Sequence, residues 1–125
     1  MSRIEPAKSD DLDLQIESDN FRVLLRIKGK VTIDSSPELR NRLLTVLNDT
    51  DLEQVTIDLK GVTYLDVSGI ATLIEALKVA RASKTHLLLT GLQDRPRYLL
   101  EVSGLLPFFE EPIDTHQDAT LKGQQ

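Results

Sequence analysis

The sequence predicts an α/β domain: a mixed β-sheet with an N-terminal antiparallel hairpin and parallel crossovers, covered by α-helices. Three observations lead there. Two runs of alternating apolar and polar residues flank the turn signal Asp19-Asn20. Further on, short apolar runs at 55–59 and 86–90 interleave with segments of helical period. The chain has 125 residues, which suits one domain. A loose lead over 1–11, one domain over 12–113 and a flexible tail over 114–125 are expected.

Leu12, Leu14 and Ile16 alternate with polar residues, as in a half-buried strand. Residues 21–28 form the second strand of the hairpin, with Val23, Leu25 and Ile27 on one face. Gly29 breaks this run, and Val31 and Ile33 suggest a short third strand. Asp34-Ser35-Ser36-Pro37-Glu38 reads as a helix start. Ser35 as N-cap gives a capping box with Glu38, whereas Ser36 as N-cap puts Pro37 at the first helical position. The helix runs to Leu47 with Leu39, Leu43, Leu44 and Leu47 as its apolar stripe.

Val55, Ile57 and Leu59 make the next strand, flanked by Lys60-Gly61. The following helix carries Ile70, Leu73, Ile74 and Leu77 at helical spacing. Residues 86–90 (His-Leu-Leu-Leu-Thr) suggest a central strand or one covered on both faces. A third helix is expected over 95–102, burying Tyr98, Leu99 and Val102 and stopped by Ser103-Gly104. Leu105, Leu106, Phe108 and Phe109 read as a final edge element with Pro107 inside it. The order is β-β-(β)-α-β-α-β-α-β.

Composition narrows the function. The formal net charge is −5, which argues against nucleic acid and anionic membrane surfaces as partners. No apolar run approaches the ~20 residues a spanning helix needs, so membrane insertion is not expected. The chain has no cysteine, which excludes disulfides and thiolate metal sites. The polar start has no signal-peptide core, and the cytoplasm is the expected location.

His86 and His116 are isolated, and no His-Asp-Glu cluster has ligand spacing, so no metal is expected. Val67-Ser68-Gly69 lacks the first glycine of a nucleophile elbow and has no evident base. Lys60-Gly61 and Ser68-Gly69 do not build a nucleotide loop, so no cofactor is expected. Asp58 sits near a strand end as in phospho-aspartate receivers. Yet Asp10, Asp11 and Asp13 do not follow the first strand and Lys84 precedes its own, so Asp58 reads as a residue bonding nearby amides.

Asp66-Val67-Ser68-Gly69, between a strand and a helix, remains. On physics alone Ser68 is foremost an N-cap, with Asp66 able to cap in its place. A phosphoryl group there is also physically sensible, because a helix N-terminus favours an anion. Gly69 would let a partner's active site approach closely.

Residues 57–70, Ile-Asp-Leu-Lys-Gly-Val-Thr-Tyr-Leu-Asp-Val-Ser-Gly-Ile, resemble the signature of the STAS family, the anti-sigma factor antagonists. Residues 29–39, 87–92 and 100–105 resemble further family segments in the right order, and the resemblance covers about 12–111. It implies a STAS-type sheet and a binder rather than an enzyme. By this resemblance Ser68 is the phosphoacceptor. Asp66, Val67, Gly69 and Ile70 lie at the partner contact, with Thr32 and Asp34 beside them.

The implied partners are a serine kinase that doubles as an anti-sigma factor, bound by the unphosphorylated form, and a serine phosphatase that resets the cycle. A monomer or weak dimer is expected. The alternative is a structural STAS subunit of a lipid-transport ABC complex or a stressosome-like scaffold. One departure bears on the kinase pairing: Thr32 stands where many members carry Asp, and Asp34 is offset by two.

Overall fold

The computed structural model describes residues 3–4, 12–49, 51–104, 107 and 109. Five strands form one mixed sheet in the order β1-β2-β3-β4-β5: Arg3–Ile4, Leu12–Ser18, Arg22–Val31, Gln54–Leu65 and His86–Thr90. β1 pairs with β2 and β2 with β3 antiparallel. β3–β4 and β4–β5 are parallel. The crossovers are α1 (Ser36–Leu47) between β3 and β4, and α2 (Val67–Ala82) between β4 and β5. α3 (Asp94–Val102) follows β5. The predicted hairpin, parallel crossovers and helical cover are all present.

The hairpin turn closes as its sequence suggests. Asp19 accepts from the amides of Phe21 and Arg22, both at 3.0 Å. Strand alternation then sorts side chains onto two faces. Leu14, Leu25, Ile27, Val55, Ile57, Leu87 and Leu89 are buried on one of them. Leu39, Leu43 and Leu47 of α1 and Ile70, Leu73, Ala76 and Ala80 of α2 belong to the same core. Each fully buried leucine there contributes roughly 1.5–3 kcal/mol. Leu44, read as part of the α1 stripe, is only half-buried.

β3 and β4 run further than the sequence reading. Gly29 does not end β3. It stays in the ladder at φ 105°, paired with Leu12 and Val62, and the strand reaches Val31. No third short strand forms, and Ile33 is exposed in the loop before α1. β4 likewise passes through Lys60-Gly61. Its register against β3 shifts twice, so that 12 residues of β4 face 10 of β3. These are β-bulges, which place an extra residue in one strand and bend it. The buried positions of β4 record them: Val55, Ile57 and Leu59 alternate, then Val62 and Leu65 follow at intervals of three.

Other expectations are corrected. β5 is the edge strand beyond β4, with Leu87 and Leu89 buried and Leu88 half-buried, not a central strand. Its continuous apolar run reflects partial cover on its second face. α3 buries Pro96 and Leu100, an i, i+4 pair, and leaves Tyr98 and Val102 exposed. Proline at the third helical position, where no intrahelical amide is needed, makes Pro96 available for packing. Leu105, Leu106 and Phe108 of the expected last strand lie outside the described residues. Pro107 is in a 3-10 turn and Phe109 is buried. Arg3–Ile4 adds a short strand within the segment read as a lead.

Candidate functional site

The site is built where β4 hands over to α2. The second bulge brings Leu65 back onto the core face, buried opposite Val31. The next residue turns out of the sheet, and its amide donates to the Val31 carbonyl at 3.1 Å. Asp66 is thereby fixed as the N-cap of α2, in extended conformation. Its Oδ1 accepts from the Ser68 amide at 2.9 Å and the Gly69 amide at 3.2 Å. Both are amides that a helix start leaves unpaired. The Asp66 carbonyl accepts from the Ile70 amide at 3.0 Å, as the first intrahelical bond.

The structure therefore separates two roles that the sequence left entangled. Asp66 caps, and Ser68 does not. The Ser68 hydroxyl donates to the same Oδ1 at 2.5 Å. The Asp66 carboxyl is held below the usual carboxylate range, chiefly by this hydroxyl, with burial opposing and the amides of Gly69, Ser68 and Ile33 adding to the effect. It is a firmly ionised group at neutral pH. The Asp66 amide bond to the Val31 carbonyl, at the end of β3, places the loop that begins at Thr32 beside the α2 start.

Within that loop the Thr32 hydroxyl accepts from the Asp34 amide at 3.2 Å. Ser35 is fully buried. Its hydroxyl donates to the Lys30 carbonyl at 2.7 Å and accepts from the Thr32 amide at 2.9 Å. It makes no side-chain cap bond to α1, and Glu38 pairs with Arg42 at 3.2 Å. The expected capping box is not formed, because the strand end claims the serine first. Ser35 holds the N-cap position and Ser36 is the first helical residue, so Pro37 is the second, one place later than the reading with Ser36 as N-cap.

Gly69 faces inward. A Cβ there would come within 2.3 Å of Leu65 Cδ1 and 2.9 Å of Val31 Cγ1. The glycine serves close packing of α2 on the sheet. Ile70, grouped by sequence with the partner contact, is 8 % exposed and belongs to the core. Val67 is 80 % exposed, and two apolar residues that sequence reasoning did not assign to the site accompany it: Ile33 at 74 % and Tyr64 at 46 %. Tyr64 was signalled only as an apolar residue that the strand and helix periods do not use, whereas Ile33 was read into a short strand that does not form.

Asp58, at the other end of the comparison with receivers, accepts from the Lys60 amide at 2.9 Å. This is the local amide bonding expected of it. Among the described residues, no group of three or more His, Asp or Glu could hold a metal ion. No helix among them is long and apolar enough to cross a membrane.

What the fold and site define is an α/β domain that displays one serine at a rigidly capped helix mouth. The sequence model of the STAS domain family matches residues 12–119, and the chain belongs to that family. It is similar to the anti-sigma-B factor antagonist of Listeria monocytogenes, 29 % identical over 94 residues, covering 75 % of this chain and 82 % of the relative. The anti-sigma-B factor antagonist of Staphylococcus aureus is 26 % identical over 81 residues, or 65 % of this chain and 74 % of the relative. Among solved structures, the anti-sigma factor antagonist SpoIIAA in its unphosphorylated form superposes with a TM-score of 0.69 at 16 % identity, covering 88 % of this chain and 96 % of that one. The phosphorylated form of Bacillus SpoIIAA gives 0.65, covering 86 % of this chain and 98 % of that one.

Proposed function

We propose that this protein is an anti-sigma factor antagonist that works by partner switching. The unphosphorylated chain binds a serine kinase that is also an anti-sigma factor, and the sigma factor is freed. Phosphorylation of Ser68 reverses binding, and a serine phosphatase restores it. The chain is then a substrate and binder, acting in the cytoplasm without a cofactor of its own. The 12–113 segment carries the binding domain.

The observation that carries this reading is the Ser68 hydroxyl at the start of α2, with exposed Ile33, Tyr64 and Val67 at the same end of the sheet. An apolar rim of this kind suits a protein partner. A phosphate adds nearly two negative charges beside it, and a partner built for a neutral hydroxyl meets repulsion and desolvation cost. The names of the Listeria and Staphylococcus relatives agree with this reading, and SpoIIAA is known in both phosphorylation states.

The test is incubation of the purified chain with its cognate serine-kinase anti-sigma factor and ATP, followed by mass spectrometry and a binding assay. One phosphate at Ser68 is expected. Ser68→Ala should bind the kinase like the wild type, and Ser68→Asp should bind at least ~100-fold more weakly, the effect of several kcal/mol of unfavourable buried charge. Absence of any phosphate on the wild-type chain, or equal binding by both variants, would refute the reading.

A further inference from the structure

Away from the Ser68 hydroxyl, the sheet face turned from the core gathers cations. Leu25 and Ile27 point into the core, so Arg26 and Lys28 of β3 point to the other side. A shallow cavity of about 380 Å³ there is lined by Gln15, Arg26, Lys28, Asp58, Lys60 and Gly61. Arg26 is neutralised in place, pairing with Glu17 and, at 3.8 Å, with Asp58. Lys28, Lys60 and the nearby Lys30 are exposed, and among the described residues none of the three makes an ion pair. Asp13 stands opposite Lys28 in the ladder without pairing with it.

Two of these lysines have their stems seated on glycines. Gly61 lies opposite Lys28, and a Cβ on it would come within 2.8 Å of Lys28 Cγ. The glycine thus leaves the space in which the Lys28 stem lies. A Cβ on Gly91 would come within 2.8 Å of Lys60 Cβ. The Lys60 main chain is also pinned: its amide donates to Asp58 Oδ1 at 2.9 Å, and its carbonyl accepts from Gln93 Nε2 at 3.2 Å. Lysines seated in this way have less freedom to lose on binding. Lys30 stands opposite Tyr64, so the cluster runs into the exposed apolar rim at the Ser68 end of the sheet.

We infer that Lys28, Lys30 and Lys60 form a second docking surface, which meets an acidic patch on the serine-kinase partner. The inference rests on the reading of this chain as a binder of that kinase. The lysines steer the encounter and set its register, while the apolar rim supplies the close contact. In a chain of formal net charge −5, unpaired cations gathered beside the rim are the feature that an acidic surface recognises. A nucleic acid fits poorly, because Asp13, Glu17 and Asp58 share this face and three free lysines neutralise few phosphates.

The experiment is stopped-flow association of the full chain with the cognate kinase, from about 0.05 to about 0.5 M salt. The wild-type association rate should fall as salt rises. Joint replacement of Lys28→Glu, Lys30→Glu and Lys60→Glu should lower the low-salt rate by ~10-fold or more and flatten or invert the salt dependence. The dissociation rate should stay within about threefold, and saturating kinase should still phosphorylate Ser68. The control is Lys78→Glu, Arg81→Glu and Lys84→Glu, exposed positions at and just beyond the far end of α2. It makes the same change in net charge and should hold the association rate within about threefold.

An unchanged rate in the first variant overturns the inference. Equal losses in both variants also overturn it, because net charge alone then accounts for them. Wild-type binding to phosphatidylserine vesicles that the first variant loses, with kinase association unchanged, overturns it too and assigns the lysines to a membrane surface. Absence of any kinase binding by the wild-type chain defeats the proposed function itself, whereas each of the other outcomes leaves that function standing.

Discussion

Two serines stand at helix mouths on adjacent loops of this protein, and they are used in opposite ways. Ser35, before α1, is fully buried with its hydroxyl turned back onto the end of β3, bonded to Lys30 and Thr32. Ser68, in the first turn of α2, is half-exposed with its hydroxyl on a carboxylate. The difference lies in the neighbours. Asp66 takes over capping and leaves Ser68 with a hydroxyl to present. At α1 the strand end takes the serine, and α1 starts without a side-chain cap. A serine near a helix start is thus a fastening or a display depending on which group satisfies the helix amides.

The comparison is broken most directly by alanine. Ser35→Ala leaves the Lys30 carbonyl and the Thr32 amide without their partner, and two such groups together cost about 3 kcal/mol. Ser68→Ala should stay within about 1 kcal/mol of the wild type. Urea denaturation of both variants checks this, and equal losses would erase the distinction. Next in size is Gly69→Ala. Its Cβ would collide with the buried Leu65 and Val31 side chains, and overpacking outweighs the gain in helix propensity by about 2 kcal/mol. A lowered urea midpoint with unchanged slope is expected.

Asp66→Ala removes the α2 cap and should cost about 1 kcal/mol, whereas Asp34→Ala, which has no comparable role, should cost less than about 0.5 kcal/mol. Thermal melts of the pair measure it. The smallest effect is in pH. The Asp66 carboxyl is lowered in the folded chain, so its contribution is fully present above the ordinary carboxylate range and is lost as pH falls through the lowered value. Between pH 6 and pH 3 the stability advantage of the wild type over Asp66→Asn should therefore shrink, as read from urea midpoints at each pH.

The hairpin and the alternation of strands and helices were legible because their periods are unbroken: Leu12-Leu14, Val23-Leu25-Ile27 and Val55-Ile57-Leu59 each repeat every two residues. Where the period slips, the reading failed. Val62 falls out of step with Leu59, and Leu65 with Val62, so the strand read as stopping at Lys60-Gly61. In α3, Tyr98 and Val102 offered an apolar stripe of the right spacing, while the buried stripe used a proline.

At the site, Asp66 and Ser68 are both cap-type residues two apart, and composition alone does not decide between them. The decision comes from where the Val31 carbonyl and the Ile33 amide sit, which is a property of the neighbouring strand. Ile33, Tyr64 and Val67 were illegible as a group because they are brought to one end of the sheet from three elements.

The two bulges in β4 also make the spacing between strand and motif a matter of parity. In a ladder, one residue more or less turns every following side chain to the opposite face, whereas two restore it. Thr63 is the unpaired residue of the second bulge, and deleting it alone would restore a regular ladder, with Val62, Tyr64 and Leu65 opposite Gly29, Lys30 and Val31 and Leu65 still on the core face. The odd spacing between Val62 and Leu65 is thus carried by one unpaired residue, and the exposed members Lys60, Thr63 and Tyr64 are free to change identity as far as the ladder is concerned.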